Sequence, residues 1–218
     1  MSGGSCRPGW VEIKICGITN LPDALESIKL GADALGFNLF PGSKRFVEFD
    51  AARKWIAQLS PEIRKVAVLV NPTWEEALKL ARSSIFDFLQ LHGNESREFC
   101  RKLADQGIAF TKALPMNDKS SLQQPAAFST DRILLDSATG HGFGGTGRTF
   151  PWSLARRFVD THSELRIALA GGLTAENVAE AIAVVRPAGV DVTTGVETAI
   201  GRKDPARLQA FVLAARAA

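Results

Sequence analysis

The chain has 218 residues, 45% hydrophobic and 22% charged, with a net charge of +3. That is enough apolar material for a sizeable core, and Lys and Arg are too evenly spread among Asp and Glu to form a nucleic-acid surface. No apolar run approaches the ~18 residues of a membrane span, residues 1–8 lack the apolar centre of a signal peptide, and Cys6, Cys16 and Cys100 form neither a CxxC pair nor a zinc spacing.

These features predict a cytoplasmic protein with a disordered leader at 1–9 and a single domain over 10–218. Short β-branched runs alternate with longer amphipathic ones. The first predicted strand, 11–15, runs into Cys16-Gly17. A helix over 20–30 follows, capped by Asn20, with Pro22 in its first turn and Gly31 beyond its end. Strand 34–37 leads to a Gly/Pro loop carrying Ser43-Lys44-Arg45, then a helix over 50–58. Strand 65–70 precedes a helix over 73–81, where Thr73 and Glu76 form a capping box. Strand 88–91 ends in His92-Gly93 before a helix over 96–106, and Asn94 with Arg97 is a weaker version of that capping pair. Strand 110–113 is followed by 115–128, weakly helical and interrupted by Pro115 and Pro125. Strand 132–135 ends in Asp136-Ser137 and a glycine-rich loop, 140–147, before a helix over 152–160. Strand 166–170 ends in Gly171-Gly172 before a helix over 174–185. Strand 190–192 ends in Thr193-Thr194-Gly195 before a helix over 204–217.

Strict alternation implies parallel strands with right-handed crossovers. Eight units of roughly 27 residues predict a single closed (β/α)8 TIM barrel. A doubly wound open sheet is the competing architecture, but the first strand-to-helix turn is not a GxGxxG loop. In a barrel, chemistry gathers where strands end and helices begin, and polar residues and glycines mark that end of nearly every strand here. In the first strand Val11, Ile13 and Ile15 share one face and Glu12, Lys14 and Cys16 the other. The polar face then points into the barrel, where Glu12 and Lys14 must find partners and Lys14 favours a Cys16 thiolate. Gln90 and His92 likewise share a face. The turns at Gly171-Gly172 and Thr194-Gly195 can offer backbone N–H groups to a phosphate.

Taken together, these stretches resemble the phosphoribosylanthranilate isomerase family of tryptophan biosynthesis. The resemblance is carried by Lys14-Ile15-Cys16-Gly17-Ile18-Thr19, Gly36-Phe37-Asn38, Ser43-Lys44-Arg45-Phe46-Val47, Gln90-Leu91-His92-Gly93, Leu135-Asp136-Ser137, Gly144-Gly145-Thr146-Gly147, Ala170-Gly171-Gly172-Leu173 with Asn177-Val178, and Gly189-Val190-Asp191-Val192 with Gly195-Val196-Glu197. The family is a (β/α)8 barrel that performs an Amadori rearrangement without metal or organic cofactor. The resemblance implies Cys16 as general base and Asp136 as general acid. It implies Arg45 on the substrate's anthranilate carboxylate, Gly171, Gly172, Thr194 and Gly195 on its phosphate, and His92 and Asp191 lining the pocket. The implied ligand is a small phosphoribosyl compound, with no nucleic-acid, membrane or obligate protein partner. Three departures stand out: Thr193-Thr194 where Ser-Ser is usual, Pro151 in place of a common Asp, and Ala199-Ile200-Gly201 in place of a Pro-Gly loop.

Each residue alone also fits a plainer role. Cys16 and Cys100 suit buried packing, Asp136 a loop cap, Arg45 a solvated loop and His92 a core histidine. Cys6 falls in the leader, and Trp55, Trp74 and Trp152 read as packing. Another phosphosugar enzyme of this fold, such as an epimerase, calls for metal ligands at strand ends, and scattered carboxylates with one His do not make such a set. A catalytically silent phosphosugar binder needs neither Cys16 nor Asp136.

Overall fold

Every predicted strand forms, within two residues of its expected ends. In a computed structural model describing residues 10–116, 125–137 and 150–218, they are β1 (Glu12–Cys16), β2 (Ala34–Asn38), β3 (Arg64–Leu69), β4 (Phe88–Leu91), β5 (Phe110–Pro115), β6 (Arg132–Asp136), β7 (Arg166–Leu169) and β8 (Gly189–Val192). Each pairs in parallel with its neighbour, and β8 closes on β1, giving the eight-stranded barrel. The helices are α1 (Leu21–Lys29), α2 (Phe49–Ala57), α3 (Trp74–Ala81), α4 (Arg97–Asp105), α5 (Trp152–Thr161), α6 (Val178–Val185) and α7 (Pro205–Ala217).

Strand alternation divides the buried residues into two sets. Ile13, Ile15, Leu35, Phe37, Ile133 and Leu135 join Ile56, Leu103, Phe158 and Phe211 in one apolar core between sheet and helices. Each such side chain contributes about 1.5–3 kcal/mol by burial. Trp55 and Trp74 pack edge-on against Phe37 and Phe99, with centroids 5.7 and 6.0 Å apart, and Cys100 is fully buried among these groups. Ala113, Leu134 and Ala170 form a separate small cluster, because the sheet wall stands between it and the main core. The polar face of β1 shares that interior. At the amino-terminal end Glu12 meets Arg64 at 3.1 Å and Arg166 at 3.9 Å, leaving a small cavity of about 60 Å³. The larger open space lies at the other end.

The expected elements differ from the observed ones at four places. Between β5 and β6 the described residues hold only a 3-10 turn, Pro125–Phe128, since a proline there donates no helical N–H. α4 is capped by Ser96, whose hydroxyl accepts from Phe99 N at 3.1 Å, whereas Asn94 N donates to Asn71 Oδ1. α6 begins at Val178 rather than 174 because Asn177 spends its side chain on the preceding turn, accepting from Thr174 N at 2.8 Å and donating to Gly172 O at 2.9 Å. After β8 come a 3-10 turn, Thr194–Val196, and an antiparallel pair, β9 (Glu197–Ala199) and β10 (Arg202–Lys203), too short to show a period. The Thr73 capping box forms as expected, and Pro151 at the start of α5 supplies no side-chain cap. The expected leader with Cys6 and the glycine loop 140–147 lie outside the described residues.

Candidate active site

Alternation on β1 and β8 sets the base of the site. Lys14 and Asp191 are paired across the β1–β8 seam, and Lys14 Nζ reaches Asp191 Oδ2 at 2.6 Å. Cys16, one inward position above Lys14, sits opposite Gly36. A Cβ on Gly36 would lie 2.7 Å from Cys16 Sγ and 3.0 Å from Lys14 Nζ, so a bare α-carbon makes room for thiol and ammonium together. Burial pushes the Cys16 thiol above its ordinary value; Lys14 and Lys203 pull it down, and Asp191 opposes them. Lys14 favours the thiolate in the expected direction, but Asp191 offsets it and burial prevails. Burial also opposes the Lys14 charge, yet Asp191 and Cys16 outweigh it and keep the ammonium protonated. Asp191 Oδ1 is buried and makes no hydrogen bond among the described residues.

A second group comes from β4 and β6. Asp136 ends β6; its Oδ1 accepts from Ser137 N at 2.8 Å, and its Oδ2 lies 3.1 Å from His92 Nε2. Gln90 Nε2 stands 3.1 Å from the other ring nitrogen. His92 is thus held by side chains on both sides rather than by backbone.

A third group joins the β2–α2 loop to the hairpin after β8. The Arg45 guanidinium grips Glu197 by two bonds, Nε to Oε1 at 2.8 Å and Nη2 to Oε2 at 2.6 Å. Lys203 Nζ, almost fully buried, donates to Glu197 Oε1 at 3.1 Å and to the Cys16 carbonyl at 2.6 Å. Burial opposes the Glu197 charge, but Arg45 and Lys203 hold it below the usual carboxylate range. Glu197 and Lys203 carry no functional signal in the sequence. Glu197 lies within a family-like stretch, but its partner Arg45 is 152 residues away.

The glycine turns complete the site. Gly171 has φ +88°, and a Cβ there would lie 2.7 Å from Ser137 N; Asn177 pins the following turn, as described above. Cys16, Arg45, His92, Asp136, Gly171, Gly172, Asp191, Thr194 and Gly195 all line one cavity of about 840 Å³ at the carboxyl ends of the strands. Cys16 and Asp136 enter it from strands three places apart in the ring. This arrangement offers a thiol and a carboxyl for proton transfer, a guanidinium at one side and glycine turns at another. Among the described residues no three His, Cys, Asp or Glu side chains group as metal ligands, and no helix is long and apolar enough to cross a membrane.

Residues 13–214 match the family model described as N-(5'-phosphoribosyl)anthranilate (PRA) isomerase. The chain is 42% identical over 206 residues to the N-(5'-phosphoribosyl)anthranilate isomerase of Pelobacter propionicus, covering 94% of this chain and 96% of that one. It is 42% identical over 202 residues to the enzyme of the same name from Thermotoga maritima, covering 93% and 97%. A crystal structure of phosphoribosyl anthranilate isomerase from Thermotoga maritima superposes with a TM-score of 0.87 at 41% identity, over 96% of this chain and all of that one. A structure of phosphoribosyl anthranilate isomerase in complex with reduced 1-(o-carboxyphenylamino)-1-deoxyribulose 5-phosphate gives a TM-score of 0.83 at 38% identity, covering 96% of this chain and 100% of that one.

Proposed function

The chain belongs to the N-(5'-phosphoribosyl)anthranilate isomerase family, and on that premise we propose that it isomerises N-(5'-phosphoribosyl)anthranilate to 1-(2-carboxyphenylamino)-1-deoxyribulose 5-phosphate, with Asp136 as general acid and Cys16 as general base. The observation that carries the assignment is the convergence of Cys16 and Asp136 on a single cavity that also holds Arg45 and the glycine turns.

The chemistry needs two opposed proton transfers and no net oxidation. Protonated Asp136 gives its proton to the ribose ring oxygen; the C1–O bond breaks and the anilino nitrogen's lone pair forms a C1=N iminium. The Cys16 thiolate removes the C2 proton, and the electrons of that C–H bond neutralise the iminium to an enolamine. Tautomerisation of the enolamine gives the ketone. A positioned acid and base of this kind contribute about 10²–10⁴-fold each. The glycine turns after β7 and β8 receive the phosphate through backbone N–H groups, and Arg45 receives the anthranilate carboxylate. Asp191 Oδ1, a buried acceptor without a donor, takes a hydroxyl of the sugar; leaving it unpaired in the complex would cost about 1–3 kcal/mol.

A turnover assay on this substrate with a chelator present tests the reading. Sustained isomerisation supports it. Substrate binding with no product would instead identify a silent phosphosugar binder.

A further inference from the structure

We propose that Glu197 is a specificity-determining positioning residue: it fixes the Arg45 guanidinium by its Nε–Nη2 edge, so that only the Nη1–Nη2 edge is presented to a second carboxylate, that of the substrate's aryl group. The inference rests on the assignment of Arg45 to that carboxylate and goes one residue beyond it.

Three observations carry it. First, a guanidinium is planar and offers its donors in fixed pairs. Two parallel bonds to Glu197, at 2.8 and 2.6 Å, use up one pair completely, the plane of the fork is then set by a side chain only 3% exposed, and on the remaining edge Nη2 has only a long 3.5 Å contact to Thr194 Oγ1 for a carboxylate to displace. Secondly, Glu197 is itself immobile. Its Oε1 also accepts from Lys203 Nζ at 3.1 Å and from Gly201 N at 3.3 Å, and Lys203 is anchored to the carbonyls of Cys16 and Thr193. The aryl-end anchor and the backbone of the proposed base are thus tied to the same carboxylate. Thirdly, the charges do not cancel. With Cys16 as the neutral thiol, Arg45 and Lys203 supply two positive charges and Glu197 one negative, leaving one positive charge beside the cavity. In a low-dielectric setting such an excess favours an anionic ligand group at that point. A neutral aryl amine would leave it unanswered.

The consequence is discrimination rather than chemistry. Glu197 touches neither the ribose ring oxygen nor C2 in the proposed mechanism, so its loss should act through the orientation of Arg45. The experiment uses two non-reacting ligands: the reduced rearrangement product bearing the ortho-carboxylate, and its anilino analogue lacking it. Dissociation constants for both are measured on the intact enzyme and on Glu197→Gln, Glu197→Asp and Arg45→Gln, with circular dichroism and thermal melting confirming the fold. Loss of a charge-assisted pair corresponds to roughly ten- to hundredfold in affinity. Glu197→Gln should shrink the preference for the carboxylated ligand by about that factor, and Glu197→Asp, which draws the fork back by one methylene, should do the same in a folded protein. Equal weakening of both ligands would reduce Glu197 to a structural role and overturn the proposal. So would an undiminished preference in both Glu197 variants when Arg45→Gln has abolished it. If Arg45→Gln itself leaves the preference intact, the placement of the carboxylate on Arg45 fails first, and the proposal with it.

Discussion

His92 Nε2 stands 3.1 Å from Asp136 Oδ2, and Gln90 Nε2 faces the opposite ring nitrogen at the same distance. An amide NH2 can only donate, so Nδ1 of His92 accepts and Nε2 carries the proton toward Asp136. With Ser137 N on Oδ1, the carboxyl plane is fixed by a donor on each oxygen. This makes His92 the orienter of Asp136 rather than its substitute. His92→Ala should lower kcat about tenfold, the value of one lost orienting hydrogen bond. Asp136→Asn should lower it by about 10²–10⁴. Steady-state kinetics on both variants decides: an equally deep loss in His92→Ala would move the proton donor to the imidazole.

Cys16 must be ionised to take a proton, and burial pushes its thiol above the ordinary value despite Lys14 and Lys203. A raised thiol pKa means that the active form gains population as pH climbs. The kcat/KM of the free enzyme should therefore keep rising past the ordinary thiol pKa of ~8.5. Removing the nearest cation, as in Lys14→Met, should move that limb to still higher pH and lower the rate at neutrality. A limb unmoved by Lys14→Met would show that Lys14 does not tune the thiol. Cys16→Ala should lose about 10²–10⁴ in turnover, and a fully active Cys16→Ala variant would remove Cys16 as the base.

The same two residues show what can be read without coordinates. Alternation over five residues turned Lys14 and Cys16 inward correctly, because a closed barrel leaves a strand only two environments. The turn after β7 was legible as a turn, because Gly171 and Gly172 take the positive φ that favours glycine. The balance of forces on the thiol was not legible: it depends on Asp191, 177 residues from Lys14, and on a Lys203 that enters from a two-residue strand. Nor could Ser43-Lys44-Arg45 reveal that Arg45 is already engaged by Glu197. Local pattern encodes the direction of a side chain; partners joined by ring closure are visible only once the ring is closed.

Gly195 tests the phosphate turn. A Cβ at this position would collide with the backbone carbonyl of Leu173, and a carbonyl in the neighbouring turn cannot rotate away as a flexible side chain can. Gly195→Ala should push the turns after β7 and β8 apart, raising KM and the inhibition constant of inorganic phosphate together by about tenfold or more, with a stability loss of about 1–3 kcal/mol. An unchanged inhibition constant for phosphate in the folded variant would place the phosphate elsewhere.

Lys112 lies between Phe110 and Leu114 on the face of β5 that packs toward the helices, where an apolar residue is expected, and both it and Glu95 are almost wholly buried. The pair meets at 2.7 Å, and Lys112 also donates to the carbonyl of Gly93 at 2.7 Å. Glu95 Oε1 accepts from Asn71 N and Gly93 N, each at 2.9 Å. One ion pair thus clamps the turn that follows His92 to the end of β3. Removing a single partner strands a buried charge, which costs about 3–5 kcal/mol, whereas removing both is far milder. Lys112→Met should therefore lower unfolding free energy by about that amount in urea titrations. Adding Glu95→Gln should recover a substantial part of it, since the amide oxygen still accepts from the turn. The double variant should nevertheless keep a reduced kcat, because the turn carrying His92 is less firmly held. A double variant no more stable than Lys112→Met alone would mean that the cost arises from lost packing of the lysine stem and not from the stranded carboxylate.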